Sequence, residues 1–474
     1  MTLGQALTIA AMTWLTSGTY IYYDYPQGNQ NQFFYEPTHQ NTPLDANLAH
    51  LRPPPPRIPE IHDIFIGIAA YRDGIKCGFS IWTAFYRAAH PEHVFVGVVD
   101  QTLPGDHICI EEYCKLAQAS WPGPLCRFKN QIRIDARNAA ESKGPTLARY
   151  QQQQLIRDEE FCMEIDAHSQ FLPNWDVEIV QEWARTNNEM GVLSSYPLDF
   201  SFIEKDLSKP STYSSHLCGY LDRGRVEDIP IIYGMHLIHD AVVPQMSALW
   251  GACLSFSKCH AEKRVPIDKH MNWVFWGEEY LRTFQLWTHG YDIYSPSRLG
   301  SVVFHNWTHE PNKKKFTDNV TRSGDQATHD QEETLAYNRL RLLLNLPFQG
   351  DTDAKEMHIF NPPPVRTVDQ FLAFTGISNV DPKQDTWTCG KQLHWVPYAV
   401  PSIVEELLPG WSMYHQDNRQ QEEFAMELDM AQQGTTRLLW FLWLAPLALV
   451  LSAFGIVYFR RSKKATKYTP VATR

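Results

Sequence analysis

The sequence predicts an α/β fold built on a largely parallel, doubly wound (Rossmann-like) sheet with flanking helices. Three observations carry this. Ile64-Phe-Ile-Gly-Ile-Ala-Ala70 and Val94-Phe-Val-Gly-Val-Val99 are short continuous apolar runs, the pattern of strands buried on both faces. Between them, Phe79, Trp82, Phe85 and Tyr86 fall at helical spacing ahead of Pro91. Strand, helix and strand make a βαβ unit, which is parallel and right-handed. A third buried run, Phe161-Cys-Met-Glu-Ile165, stops at Asp166-Ala-His168, and Pro173-Asn-Trp175 then opens a helix through Ile179, Val180 and Trp183.

The elements follow in order. Leu3–Tyr23 is uncharged and mostly apolar, so residues 1–23 read as a secretory signal cut near Thr16-Ser-Gly18 or as an uncleaved anchor. Residues 24–60 are polar, with a Pro53–Pro56 run, and read as a stem. The α/β domain is expected over 61–345. It takes in a strand at Ile132-Arg-Ile134, a Gly144-Pro145 turn with a helix over Leu147–Ile156, and a strand at Gly191–Tyr196. Residues 201–245 show no clean period and read as an insertion. Trp250–Phe256 reads as a strand, and Glu278-Glu-Tyr280 opens a helix through Trp287 that Gly290 ends. Tyr291–Tyr294 and Ser301–Phe304 read as strands, with His305 where the second ends, and Thr334–Leu344 as a helix.

A C-terminal extension is expected over 346–436. Leu438–Phe459 then runs uncharged for long enough to cross a bilayer of roughly 30 Å, which gives a transmembrane helix over 437–459. Arg460, Arg461, Lys463, Lys464 and Lys467 follow it, so the tail 460–474 is expected in the cytoplasm and the body in the lumen. The sequons Asn306-Trp-Thr308 and Asn319-Val-Thr321 agree with a luminal body.

The net charge of −11 and the lack of a basic stripe in the body argue against a nucleic-acid partner. None of the nine cysteines forms a Cys-x-x-Cys pair, which removes zinc-ribbon and thioredoxin readings, and the odd count leaves at least one thiol unpaired. The phosphate loops of P-loop kinases and dehydrogenases and the nucleophile elbow of α/β hydrolases are missing too.

Four constellations can carry chemistry. Asp166 and His168, with His305 from a later strand end, offer an oxygen and two nitrogens, a set that suits Mn²⁺ better than Zn²⁺ or Ca²⁺. Tyr71, Arg72 and Asp73 end the first strand, where such a sheet binds nucleotides: Tyr71 to stack on a base, Arg72 to pair with phosphate, Asp73 to accept from base or ribose. Lys143 and Arg149 flank Gly144-Pro145 and can hold phosphate. Glu278 and Glu279 stand at a helix start, where one can bind sugar hydroxyls or assist at the anomeric carbon. Each has a structural alternative: a turn-capping Asp, a loop histidine, an Arg–Asp pair, surface cations, and carboxylates favoured by the helix dipole.

Several stretches together resemble glycosyltransferase family 60, the polypeptide and hydroxyproline N-acetylglucosaminyltransferases. They are Ile64–Asp73, Val94-Phe-Val-Gly97, Lys143-Gly-Pro145 with Ala148-Arg-Tyr150, Glu164–His168 with Phe171 and Trp175-Asp176, and Val192–Pro197. Then come Phe275–Glu279 with Leu286–Asp292, Val303-Phe-His305, and Arg366–Phe371 with Phe374-Thr-Gly376. The resemblance covers roughly 62–380. It implies a GT-A fold, a UDP-GlcNAc donor, a divalent cation and retaining transfer to a protein hydroxyl. Asp166, His168 and His305 match the metal motif, Tyr71–Asp73 the nucleotide end, and Glu278-Glu279 the acidic pair at the sugar. Cytoplasmic members that modify a ubiquitin-ligase adaptor lack a membrane span, so that adaptor is not the expected acceptor here. The expectation is a secretory-pathway membrane enzyme, Golgi-resident with a luminal catalytic domain, acting on a protein or glycan acceptor. The alternatives are a polysaccharide or glycolipid transferase on the same fold, or a non-catalytic glycan-binding membrane protein.

Overall fold

A computed structural model of the chain describes residues 19–22, 32–35, 39–123, 126–207, 209–221, 228–308, 314–318, 325–379, 381–386 and 388–413. In chain order the elements are β1 (Thr19–Tyr22), β2 (Gln32–Tyr35), β3 (Ile64–Tyr71), α1 (Gly74–Arg87), β4 (Val94–Thr102), α2 (Cys109–Ser120), β5 (Ile132–Asn138), α3 (Pro145–Gln153), β6 (Phe161–Asp166), β7 (Ser169–Phe171), α4 (Trp175–Ala184) and β8 (Gly191–Ser194). They continue with β9 (Tyr213–Leu221), β10 (Ile231–His239), β11 (Gln245–Ser247), β12 (Leu254–Lys258), α5 (Cys259–Arg264), α6 (Glu278–Thr288), β13 (Asp292–Ser295), β14 (Val303–His305), α7 (Gln326–Leu343), α8 (Val368–Thr375) and α9 (Pro401–Leu407).

Eight strands form the central sheet in the order β11-β13-β8-β12-β6-β3-β4-β5. Strands β6, β3, β4 and β5 run parallel, as does β13 beside β8. Strand β12 enters antiparallel between β6 and β8. The sheet is therefore mostly parallel, with β12 reversed where the site forms and the edge strand β11 antiparallel to β13.

Alternation along β3 shows why helices cover both faces. Ile64, Ile66, Ile68 and Ala70 join the main core with Cys77, Ile81, Ala84 and Phe85 of α1 and Ile179 and Trp183 of α4. On the opposite face Phe65 packs with Leu155 and Ile156, just after α3. Helices α1 and α2 approach closely because residue 78 is glycine. A Cβ there would lie 2.6 Å from Glu112 Cβ and 2.7 Å from the Tyr113 nitrogen. Gly78→Ala is accordingly expected to cost about 1–3 kcal/mol through forced separation of the two helices, read as a lowered urea midpoint.

Several expectations need correction. The strand expected from Trp250 begins only at Leu254. Ahead of it the Trp250 N–H donates to Thr283 Oγ1 (2.9 Å), so the chain is pinned to α6 before it can join the ladder. The unreadable stretch 201–245 holds the long hairpin β9–β10, which forms a second sheet in the order β2-β1-β10-β9. Strand β1 is thus the end of the segment expected as a leader. The expected stem is also no free spacer. The Gln40 side chain bonds Pro244 O and Met246 N (2.7 Å each), and Arg57 N donates to Glu189 Oε2 (2.6 Å). Buried polar groups tie this polar-looking segment to the body.

Beyond 345 the chain stays in the same unit, which runs to Met413. Arg366 pairs with Asp292 (2.8 Å), both fully buried, and Cys389 is disulfide-bonded to Cys218. The other disulfides are Cys77–Cys109, Cys114–Cys126 and Cys162–Cys259, which leaves Cys253 as the free thiol. No helix among the described residues is long and apolar enough to cross a membrane. The expected span 437–459, the rest of the leader and the sequon at Asn319 lie outside the described residues.

Candidate active site

The site forms where the parallel strands end. Asp166 is the last residue of β6 and stands opposite Ala69 of β3. Helix α1 fixes the turn that follows: Ser80 Oγ lies 2.9 and 2.8 Å from the Ala167 and Ser169 carbonyls and accepts from the Ser169 N–H (2.9 Å). Strand β14 then pairs antiparallel with β7, setting His305 opposite Ser169. This short ribbon returns a histidine 139 residues downstream to the Asp-Ala-His turn.

His305 Nε2 lies 3.0 Å from Asp166 Oδ2, and the ring is walled by Trp307 (centroids 3.9 Å) and His168 (4.5 Å). His168 turns its Nδ1 toward Asp73 Oδ2, 3.3 Å away. The donor atoms of Asp166, His305 and Cys253 all lie within 4.8 Å of one another. That spacing fits atoms arranged around a single ion, so the residues present suit a divalent cation.

Electrostatics point the same way. Arg149 of α3 is nearly fully buried and is gripped by Glu164 (Nε–Oε1, 2.6 Å) and Glu278 (Nη1–Oε1, 2.6 Å), with Asp166 at 3.6 Å. Burial would lower its pKa, but the carboxylates of Glu278, Glu164 and Asp166 outweigh that and raise it. Burial pushes the Glu164 pKa up to about 8 and raises that of Glu278 too, whereas Asp166 stays ionised. Burial likewise opposes ionisation of Asp166, but the His305 hydrogen bond and the charges of His305, His168 and Arg149 hold it well below the usual carboxylate range.

The adjacent acids are both buried and hydrogen-bonded, and burial raises the pKa of both. Glu278 accepts from Arg149 and from Thr146 Oγ1 (2.6 Å), so both its oxygens are committed. Glu279 accepts from Tyr196 Oη (2.5 Å) and the Ala252 N–H (2.8 Å). Burial raises the Glu279 pKa from 4.5 to about 7. Between those values the folded chain holds a proton that the unfolded chain has released. Stability from this group is therefore fullest below 4.5 and is lost as pH rises through 7. Glu279→Gln should flatten that part of the stability–pH curve, which denaturant midpoints measured below and above the window will show.

The expected nucleotide end is formed by the neighbouring strand ends. Tyr71 is in register with Gln101 of β4. Gln101 in turn lines a polar cleft of about 510 Å³ with Asp135, Arg137, Asn138, Lys143 and Asn272. The three cations expected to meet phosphate are all engaged. Arg72, in a left-handed turn (φ 53°), forks onto Asp106 at 2.6 and 2.8 Å. Lys143 pairs with Glu332 at 2.5 Å, and Arg149 sits in its carboxylate cage. Asp73 faces His168 and Lys76.

The sequence model of the glycosyltransferase (GlcNAc) family matches residues 63–125 and 113–380, well over half of the chain and the whole of the site. The chain belongs to this family. No curated protein matches this glycosyltransferase. Solved structures resemble it too, two of them at 11% identity. One is GalNAc-T7 with UDP, GalNAc and Mn²⁺ (TM-score 0.40, 66% of this chain and 57% of that one). The other is the mannosyltransferase PcManGT from Pyrobaculum calidifontis with GDP-Man and Mn²⁺ (TM-score 0.36, 69% and 73%). The glycosyltransferase thus spans little more than half the length of GalNAc-T7.

Of the expected residues, the glycosyltransferase brings Asp166, His168, His305, Arg149 and Glu278 into one network, with Asp73 at its edge. Arg72 and Lys143 belong to separate ion pairs. Sequence reasoning missed Cys253, Asp106 and the cleft wall 135–138. Only Cys253 left a signal, the odd cysteine count.

Proposed function

We propose that this glycosyltransferase is a membrane-anchored relative of glycosyltransferase family 60 on a GT-A fold. It moves N-acetylglucosamine, with retention, from UDP-GlcNAc to a hydroxyl of a protein acceptor in the secretory pathway, with its catalytic domain in the Golgi lumen. The observation that carries the reading is the Asp166–His305 pair at the strand ends, set beside the buried Arg149 cage inside the matched region. The luminal and membrane parts rest on the uncharged run Leu438–Phe459 and the basic residues after it.

Asp166 and His305 would hold a divalent cation, for which Mn²⁺ suits the oxygen and nitrogen donors, with His168 one ring away. Bound there, the cation supplies positive charge against the departing nucleoside diphosphate. Tyr71 and the cleft behind Gln101 receive the base and ribose. Glu278 keeps Arg149 in place and so fixes the orientation of Asp166. Glu279, braced by Tyr196 and the Ala252 N–H, presents a carboxyl on the sugar side. A retaining front-side transfer demands no dedicated base, so this acid serves in sugar recognition.

The test is UDP release by the purified full chain offered UDP-GlcNAc, UDP-GalNAc or GDP-mannose, with a divalent cation and with a chelator. Cation-dependent release that is fastest from UDP-GlcNAc is expected. Release from another donor alone would refute the sugar assignment, and none from any donor would refute the enzyme reading.

A further inference from the structure

The sheet topology places one residue at the cation pair that no sequence motif marks. Strand β12 enters the sheet antiparallel to β6, with Leu254 in register with Ile165. The residue before Leu254 therefore comes up beside the residue after Ile165, which sets Cys253 against Asp166. Its sulfur lies within 4.8 Å of the donor atoms of both Asp166 and His305. The segment is anchored on its other side by the bond from Ala252 N–H to Glu279 (2.8 Å). Every other cysteine of the chain is in a disulfide, so this thiol has been kept out of pairing beside a carboxylate and an imidazole.

We infer that the Cys253 sulfur is a direct ligand of the cation held by Asp166 and His305. This rests on the cation site proposed above and goes beyond it. On binding, the S–H bond breaks, a sulfur–metal bond forms and the proton leaves to solvent, with no change of oxidation state. A thiolate beside a carboxylate and an imidazole shifts selectivity away from Mn²⁺ toward softer ions such as Zn²⁺ and Co²⁺. The donor set then differs from the oxygen-and-two-nitrogen set of the Asp-x-His motif, with the His168 ring packed against that of His305 at 4.5 Å.

Cobalt reports on this directly, because Co²⁺ bound to thiolate shows a near-ultraviolet charge-transfer band that oxygen and nitrogen ligands do not give. The full chain titrated with Co²⁺ should develop that band, and Co²⁺ should shield Cys253 from iodoacetamide as followed by mass spectrometry. Cys253→Ser should lose the band. Its Co²⁺ affinity should fall by at least the roughly 10–100-fold that loss of a supporting partner costs a metal site, while Mn²⁺ affinity changes less. Co²⁺ binding by the wild-type chain with no charge-transfer band, and with Cys253 alkylated at an unchanged rate, would overturn the inference and leave the cation site standing. That result needs no variant, so misfolding of Cys253→Ser cannot obscure it. Failure of the wild-type chain to bind any of the three cations would overturn the inference together with the cation site.

Discussion

Arg149→Met is expected to be the most destabilising single change in the site, by about 3–5 kcal/mol, the usual result of breaking a buried ion pair from one side. Methionine fills much of the volume but removes the guanidinium that bridges Glu164, Glu278 and Asp166. Arg149→Lys should recover only part of the loss, because a single ammonium cannot span acids that the guanidinium meets through separate nitrogens. Urea denaturation gives the magnitude. If Arg149→Met kept wild-type stability and only raised the KM for the donor, Arg149 would be a phosphate ligand after all and its carboxylate cage would be incidental.

The second large effect is chemical. Asp166→Asn keeps the shape of the side chain and leaves Arg149 with its two closer partners. It removes the charge proposed to hold the cation. A drop in kcat for UDP release of about 10²–10³-fold is expected, the scale of losing one electrostatic stabiliser of a transition state, with the denaturation midpoint close to wild type. Full activity in Asp166→Asn would show that the leaving group is stabilised elsewhere.

Much of this protein was legible in its sequence, and the reasons differ by element. The parallel strands announce themselves because both their faces are buried, so Ile64–Ala70 and Val94–Val99 read as apolar runs. The hairpin β9–β10 was hidden for the opposite reason. Its residues mix His, Ser, Tyr and Gly, and its stability comes from pairing with distant segments, including a strand inside the apparent leader. The stem was misread because Gln40, Pro53 and Pro54 are buried by tertiary contacts that composition does not encode.

In the candidate site, the nearness of Asp166 and His305 was foreseeable because each ends a strand. What surrounds them was not. Arg72, Lys143 and Arg149 look alike in sequence as cations near a phosphate site, and only the fold shows Asp106, Glu332 and the Glu164–Glu278 pair beside them. Cys253 reaches the site through the reversal of β12, a property of topology and not of any local pattern.

The central claim is that Asp166 and His305 hold one divalent cation, and calorimetric titration of the full chain with Mn²⁺ or Co²⁺ in the presence of UDP tests it most directly. One ion per chain is predicted for the wild type, with binding lost in both Asp166→Asn and His305→Ala while their folds persist by circular dichroism. Unchanged stoichiometry and affinity in both variants would contradict the account.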